Sequence, residues 1–173
     1  MYWKEINYTR EGDNISGEIK TRIAKPEDAD ALKKLVYETI DVCYSGTYSG
    51  EAIDYFKEYN NTESILNDIF KGHFLILTRG EEIIGTGTLL GSNVKRVFIK
   101  QQYQNMGLGK RIMHELEKEA LEEKVRIMDL HASLTAHSFY TAIGYQVQSE
   151  EIVQVKNGQN LRYYIMVKKL DIS

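Results

Sequence analysis

Residues 97–124 place the end of an apolar strand, a turn with two glycines and a long amphipathic helix in direct succession. Val97, Phe98 and Ile99 close the strand, and Gln104-Asn105-Met106-Gly107-Leu108-Gly109-Lys110 form the turn. In the helix, from about Gly107 to Lys124, Ile112, Met113, Leu116 and Ala120 recur on one face, opposite Lys and Glu. A strand feeding such a helix sets up a sheet layer with a helix layer packed on it. The turn is also suited to an anion: small residues allow close backbone approach, the first free N–H groups of the helix point outward, and Lys110 and Arg111 add positive charge.

The rest of the chain alternates in the same way. Glu18 to Lys25 reads as a first strand. Pro26 opens a helix whose stripe is Leu32, Leu35, Val36, Ile40 and Cys43. Ser49 and Thr62 are positioned to cap two shorter helices, the second stopping at Gly72. Extended segments follow at Phe74 to Thr78, Ile83 to Leu90 and Val94 to Lys100, a three-stranded meander. After the long helix come a strand from Arg126 to His131, a helix from Ser133 to Ile143 stopped by Gly144, and a closing pair, Tyr145 to Val155 and Leu161 to Leu170, around Asn157-Gly158. The expected fold is α/β (α+β): one domain over residues 18–173, with a mixed, mostly antiparallel sheet, helices on both faces and an N-terminal extension over 1–17.

With 173 residues, 42% of them hydrophobic and 27% charged, the chain has the composition of a globular domain. Cys43 is the only cysteine, which excludes an internal disulfide framework and fits a cytoplasmic protein. Lys4, Glu5 and Arg10 break up the N-terminal segment, so it does not read as a signal peptide. No window suits a membrane span. A net charge of −3 gives no general support for nucleic-acid binding. Cys43 and the histidines His73, His114, His131 and His137 lack the spacing of a metal site. Charge is nonetheless uneven: residues 26–68 hold ten acids against three lysines, and residues 91–126 hold eight bases against five acids. This can reflect solvated helix faces or an acidic acceptor side facing a cationic cofactor side.

Two nucleotide-binding readings of the turn are weak. A P-loop needs glycine at Gln104 and a hydroxyl at Arg111. A dinucleotide fingerprint needs a small residue at Ile112, although Asp129 lies at about the right distance for a ribose-binding acid. Gln104, Gly107 and Gly109 match [QR]-x-x-G-x-[GA], and Ala136, Phe139 and Tyr140 followed by Gly144-Tyr145 match A-x-x-F-Y and G-[FY]. With these two motifs and the order of elements over residues 18–170, the chain resembles the GNAT superfamily of N-acetyltransferases.

The resemblance implies acetyl-CoA as cosubstrate. Backbone groups of Val97, Phe98 and Ile99 would bind its pantetheine arm. The loop Gln104, Asn105, Met106, Gly107, Leu108, Gly109, Lys110 and Arg111 would hold its pyrophosphate. Ser133 stands where many members carry an asparagine that holds the pantetheine, and a hydroxyl can supply only part of that contact. Tyr140 would protonate the departing thiolate. The cofactor would enter where two central strands diverge, after Ile99 and after Leu130. An edge strand at either end of the sheet offers a place for a second subunit.

Attack requires a neutral amine, and deprotonating a lysine-like amine at pH 7 costs about 4.6 kcal/mol. Candidate bases are Glu38, Asp41, Glu51, Asp54 and Glu58, with His73 and His131 at strand ends. Tyr37, Tyr44, Tyr48, Tyr55, Phe56 and Tyr59 accompany these acids, which fits either a small cationic amine or a lysine side chain as acceptor, or simple amphipathic packing of the aromatic rings. The alternative function is a noncatalytic acyl-CoA-binding or regulatory module, and a nicotinamide enzyme using Gly107, Gly109 and Asp129 is a more distant one.

Overall fold

The computed structural model describes residues 17–170, so the expected extension lies outside it except for Gly17. The strands are β1 (Ile19–Ile23), β2 (His73–Arg79), β3 (Glu82–Leu90), β4 (Asn93–Ile99), β5 (Ile127–Ser133), β6 (Gln146–Gln154) and β7 (Asn160–Lys169). The α-helices are α1 (Ala29–Tyr44), α2 (Gly50–Tyr59), α3 (Thr62–Lys71), α4 (Leu108–Glu122) and α5 (His137–Ala142). They build a seven-stranded sheet of order β1-β2-β3-β4-β5-β7-β6, antiparallel throughout except between β4 and β5. This is the expected mixed, mostly antiparallel sheet.

Both faces of the sheet are covered, which explains why β2 reads as a nearly continuous apolar run. Phe74 and Ile76 pack with Leu32, Leu35, Val36 and Ile65 of α1 and α3. The alternate residues Leu75 and Leu77 pack with Ile112, Met113 and Leu116 of α4. A Cβ at Gly87 of β3 would lie 2.3 Å from Ile112 Cγ2, so α4 rests on bare backbone there.

Three sequence boundaries move. Pro26–Asp28 forms a 3₁₀ turn and α1 begins at Ala29, because the Asp28 carboxylate accepts the Lys25 N–H and pairs with Arg22. Asn61, not Thr62, caps α3, its Oδ1 accepting the Ser64 N–H at 2.8 Å. The expected helix from Ser133 shortens to α5, since Ser133 still pairs with Tyr163 as the last residue of β5. The turn at Asn157-Gly158 has positive φ at both residues, as expected of Asn-Gly.

The break that organises the site is a bulge in β4. Thr86 pairs with Phe98 and Thr88 with Lys95, so Gly87 alone opposes Arg96 and Val97. Arg96 takes φ of 55°, a left-handed conformation for a non-glycine residue. The parallel pairing of β4 with β5 covers only Asn93–Asp129 and Val94–Leu130. The strands therefore part after Val94, not after Ile99 as expected, because the bulge that begins two residues later, at Arg96, turns β4 aside.

Candidate active site

Past Val94 the side of β4 facing β5 is open. Lys100 N–H donates to Ile84 O at 2.9 Å, which fixes the antiparallel alternation. Phe98 is thereby committed to β3, while the N–H groups of Val97 and Ile99 face the gap. Of the three expected pantetheine-binding residues, Phe98 instead offers its side chain to an adjoining cleft.

The turn after β4 is held from within. Gln104 Nε2 donates to Ile99 O at 2.9 Å, tying the loop to the end of the strand, and lies 3.5 Å from Cys43 Sγ. Asn105 takes φ of 61° and Gly107 φ of 78° at the N-cap of α4. The first bond into the helix is Arg111 N–H to Gly107 O, so the N–H groups of Leu108, Gly109 and Lys110 precede the ladder and point from its positive end. Lys110, Asn105 and Met106 are exposed, while Leu108 is buried in the core. Arg111 is turned away, its Nη1 donating to Ile19 O at 3.2 Å. A Cβ at Gly109 would meet the Phe139 ring at 3.1 Å, so this glycine also serves the contact between α4 and α5. These residues fit a pyrophosphate: a helix N-terminus without a side-chain cap, a left-handed glycine and one free lysine arm.

Tyr140 is buried between Phe139 and Tyr145, with ring centroids at 5.1 and 5.8 Å. Burial, with Tyr44 nearby, raises its pKa, which keeps the phenol protonated. Tyr44, missed as an individual site residue by sequence reasoning, lines the cleft together with Ser133. Its pKa is pushed up to about 12 by burial, opposed by a hydrogen bond with Ser133. Ser133 also shares a hydrogen bond with Thr135 at 3.0 Å.

The cleft, about 200 Å³, lies between the parted strands and α2. Tyr48 fixes its base, donating to Arg162 O at 2.9 Å while accepting the Leu134 N–H at 2.7 Å. Tyr44, Tyr48 and Phe56 stack with centroids 4.8–5.4 Å apart. Of the candidate bases only His131 lines the cleft, its ring 5.2 Å from that of Tyr163. His73 faces Glu119 instead, at 3.3 Å.

The acids of α1 and α2 do not form an acceptor surface in this cleft. Glu38 pairs with Lys34, Asp41 with Lys57 and Glu58 with Lys156, while Glu51 accepts from Asn157 and sits with Asp54 in a separate surface hollow. Sequence reasoning also missed Lys95 and Arg96, which line the cleft, and Asp68, which neutralises them from α3. The signal was present in Val94-Lys95-Arg96-Val97, where two adjacent charges interrupt the strand alternation.

Sheet order, parted strands and glycine-capped helix together define a mixed α/β domain with an open seam beside a helix N-terminus. Residues 44–170 match the model of the GNAT acetyltransferase domain, and the chain belongs to that family. It is 29% identical over 102 residues to Bacillus subtilis YyaT, covering 57% of this chain and 66% of the relative, just under two thirds. A second protein of that organism is 35% identical over 60 residues, 35% of this chain and 41% of its own length. The fold is shared with a GCN5-related N-acetyltransferase from Rhodopseudomonas palustris, with TM-score 0.81 and 22% identity over 92% of this chain and all of that one. It is also shared with the PaiA N-acetyltransferase of Thermoplasma acidophilum, solved in complex with coenzyme A, with TM-score 0.71 and 23% identity over 88% and 99%. Among the described residues no helix is long and apolar enough to cross a membrane.

Proposed function

We propose that this protein transfers the acetyl group of acetyl-CoA directly to a primary amine, either of a small molecule or of a lysine side chain. The observation that carries the reading is the opening between β4 and β5 past Val94 and Leu130, with the N-terminus of α4 beyond one strand and His131 on the other. The thioester supplies the acetyl group. Leu108, Gly109 and Lys110 hold the pyrophosphate through their N–H groups, and Val97 and Ile99 align the pantetheine arm as an added strand would.

The Ile99 N–H polarises the thioester carbonyl. His131 takes the proton of the amine, either directly or through a water, as the new C–N bond forms. Tyr140 gives its proton to sulfur as the C–S bond breaks, with Ser133 and Tyr44 fixing the adjacent wall. Cys43 as the only cysteine agrees with a cytoplasmic setting, where acetyl-CoA is available.

The test is calorimetric titration with acetyl-CoA and with NAD, followed by thiol-release assays on a panel of primary amines. Micromolar acetyl-CoA binding, silence with NAD and release of one CoA per acetylated amine are expected. Binding without turnover of any amine would favour the noncatalytic module, and no binding by folded protein would overturn the reading.

A further inference from the structure

The acceptor cleft carries a surplus of positive charge. Lys95 Nζ lies 2.8 Å and Arg96 Nη1 3.2 Å from the same oxygen of Asp68, and no acid lines the cleft beside them. Arg96 is 5% exposed and Asp68 1% exposed, so two cations share one anion almost out of water. A charge left without its counterpart at such a site is costly.

The guanidinium is also short of partners. Its Nη2 donates to Ser64 Oγ at 2.6 Å and its Nη1 meets Asp68 only as a 3.2 Å ion pair, while Nε has no hydrogen-bond acceptor. Tyr59, itself 51% exposed, lies over both cations, its ring 5.4 Å from Lys95 Nζ and 5.5 Å from Arg96 Cζ. The left-handed backbone of Arg96 holds the guanidinium in place, a strain of the kind found at binding sites.

We propose that Lys95 and Arg96 recognise an anionic group of the acceptor, so that the substrate is an amine bearing a carboxylate, such as an amino acid. This rests on the acetyltransferase reading above and names the substrate class of the same site. The carboxylate would meet Lys95 first, with Arg96 behind it, while the amine points along the cleft toward His131. A volume of about 200 Å³ suits an acceptor of amino-acid size.

The test compares α- and ω-amino acids, each with its own primary carboxamide, in the thiol-release assay with saturating acetyl-CoA, on wild type and on Lys95→Met. Acetyl-CoA affinity and thermal midpoint are measured on both proteins. At least one free acid should exceed its carboxamide by about tenfold or more in kcat/KM, the weight of one charge-assisted hydrogen bond. Lys95→Met should erase that preference while leaving acetyl-CoA affinity unchanged. Carboxamides turned over as well as or better than the acids, or a preference that survives Lys95→Met, would overturn the anion site and leave the acetyltransferase reading standing. No turnover of any amine would overturn both.

Discussion

Val94 and Leu130 are the last partners of the parallel ladder between β4 and β5. One residue further along β4 begin Lys95 and Arg96, and one residue further along β5 stands His131. The same pair thus marks the end of the sheet's continuity and the edge of the cleft. The bulge opposite Gly87 is the cause, because two β4 residues must fit against one on β3 and the strand bends away from its other neighbour.

Gly107→Glu should weaken acetyl-CoA binding by at least about tenfold. The position has φ of 78°, which costs a non-glycine residue about 1–2 kcal/mol, and the new carboxylate would oppose a phosphate at the helix N-terminus. The strain corresponds to a fall in Tm of roughly 2–8 °C. Titration calorimetry on a protein shown to be folded by circular dichroism separates the two effects. Unchanged affinity would remove the loop from the cofactor site.

The fold was legible in the sequence where periodicity and punctuation agree. The meander, α4 and the Asn157-Gly158 turn follow from alternation, an amphipathic stripe and turn chemistry. The loop was legible because glycines, strand and helix stand in one short stretch. The direction of Arg111 was not, since its tie to Ile19 O spans 92 positions and depends on the sheet order. The acceptor side misled for a related reason. Its acids are abundant in α1 and α2, but helix geometry directs them to Lys34, Lys57 and Lys156 on the surface. The charges that do line the cleft come from a bulged strand, where neither a period of 2 nor one of 3.6 applies.

Asp28→Asn should destabilise the protein by about 1–3 kcal/mol at pH 7 and by progressively less in acid. The Asp28 carboxylate accepts from Arg22 at 2.7 and 2.8 Å and from the Lys25 N–H at 2.7 Å, and the guanidinium holds its pKa below the ordinary value. A depressed carboxylate pKa adds stability that is fully present above the unfolded value of about 3.9 and lost as pH falls through the folded one. Arg22 is partly exposed, which keeps the effect at the lower end of that range. Urea melts of both proteins at neutral pH and at about pH 3 measure it. A difference that stays constant between those pH values would exclude the ion pair as its source.

Gly87→Ala should cost about 1–3 kcal/mol through overpacking, because its Cβ would lie 2.3 Å from Ile112 Cγ2 and 3.3 Å from Leu116 Cδ1. The effect should be relieved in the double variant with Ile112→Ala, which removes Cγ2, the atom that the new Cβ would meet. Chemical denaturation of the four proteins gives the coupling directly. Purely additive losses would show that α4 does not rest on this glycine.

His131→Gln and Tyr140→Phe should separate the two proton transfers. His131→Gln should lower kcat/KM by about 10²–10⁴ and weaken the dependence of rate on pH, because a general base acts only in its unprotonated form. Tyr140→Phe should lower kcat by about 10²–10⁴ with little change in acetyl-CoA affinity, since its ring packs on Phe139 and Tyr145 with or without the hydroxyl. The pH profiles should differ as well. Burial raises Tyr140 above the ordinary phenol value, so in wild type its proton stays in place throughout the neutral range and no loss of rate from its ionisation should appear below about pH 10. Rates of both variants from pH 5 to 9.5, with a saturating amine, distinguish the roles. Equal loss with an unchanged profile in both would mean that they shape the cleft rather than move protons.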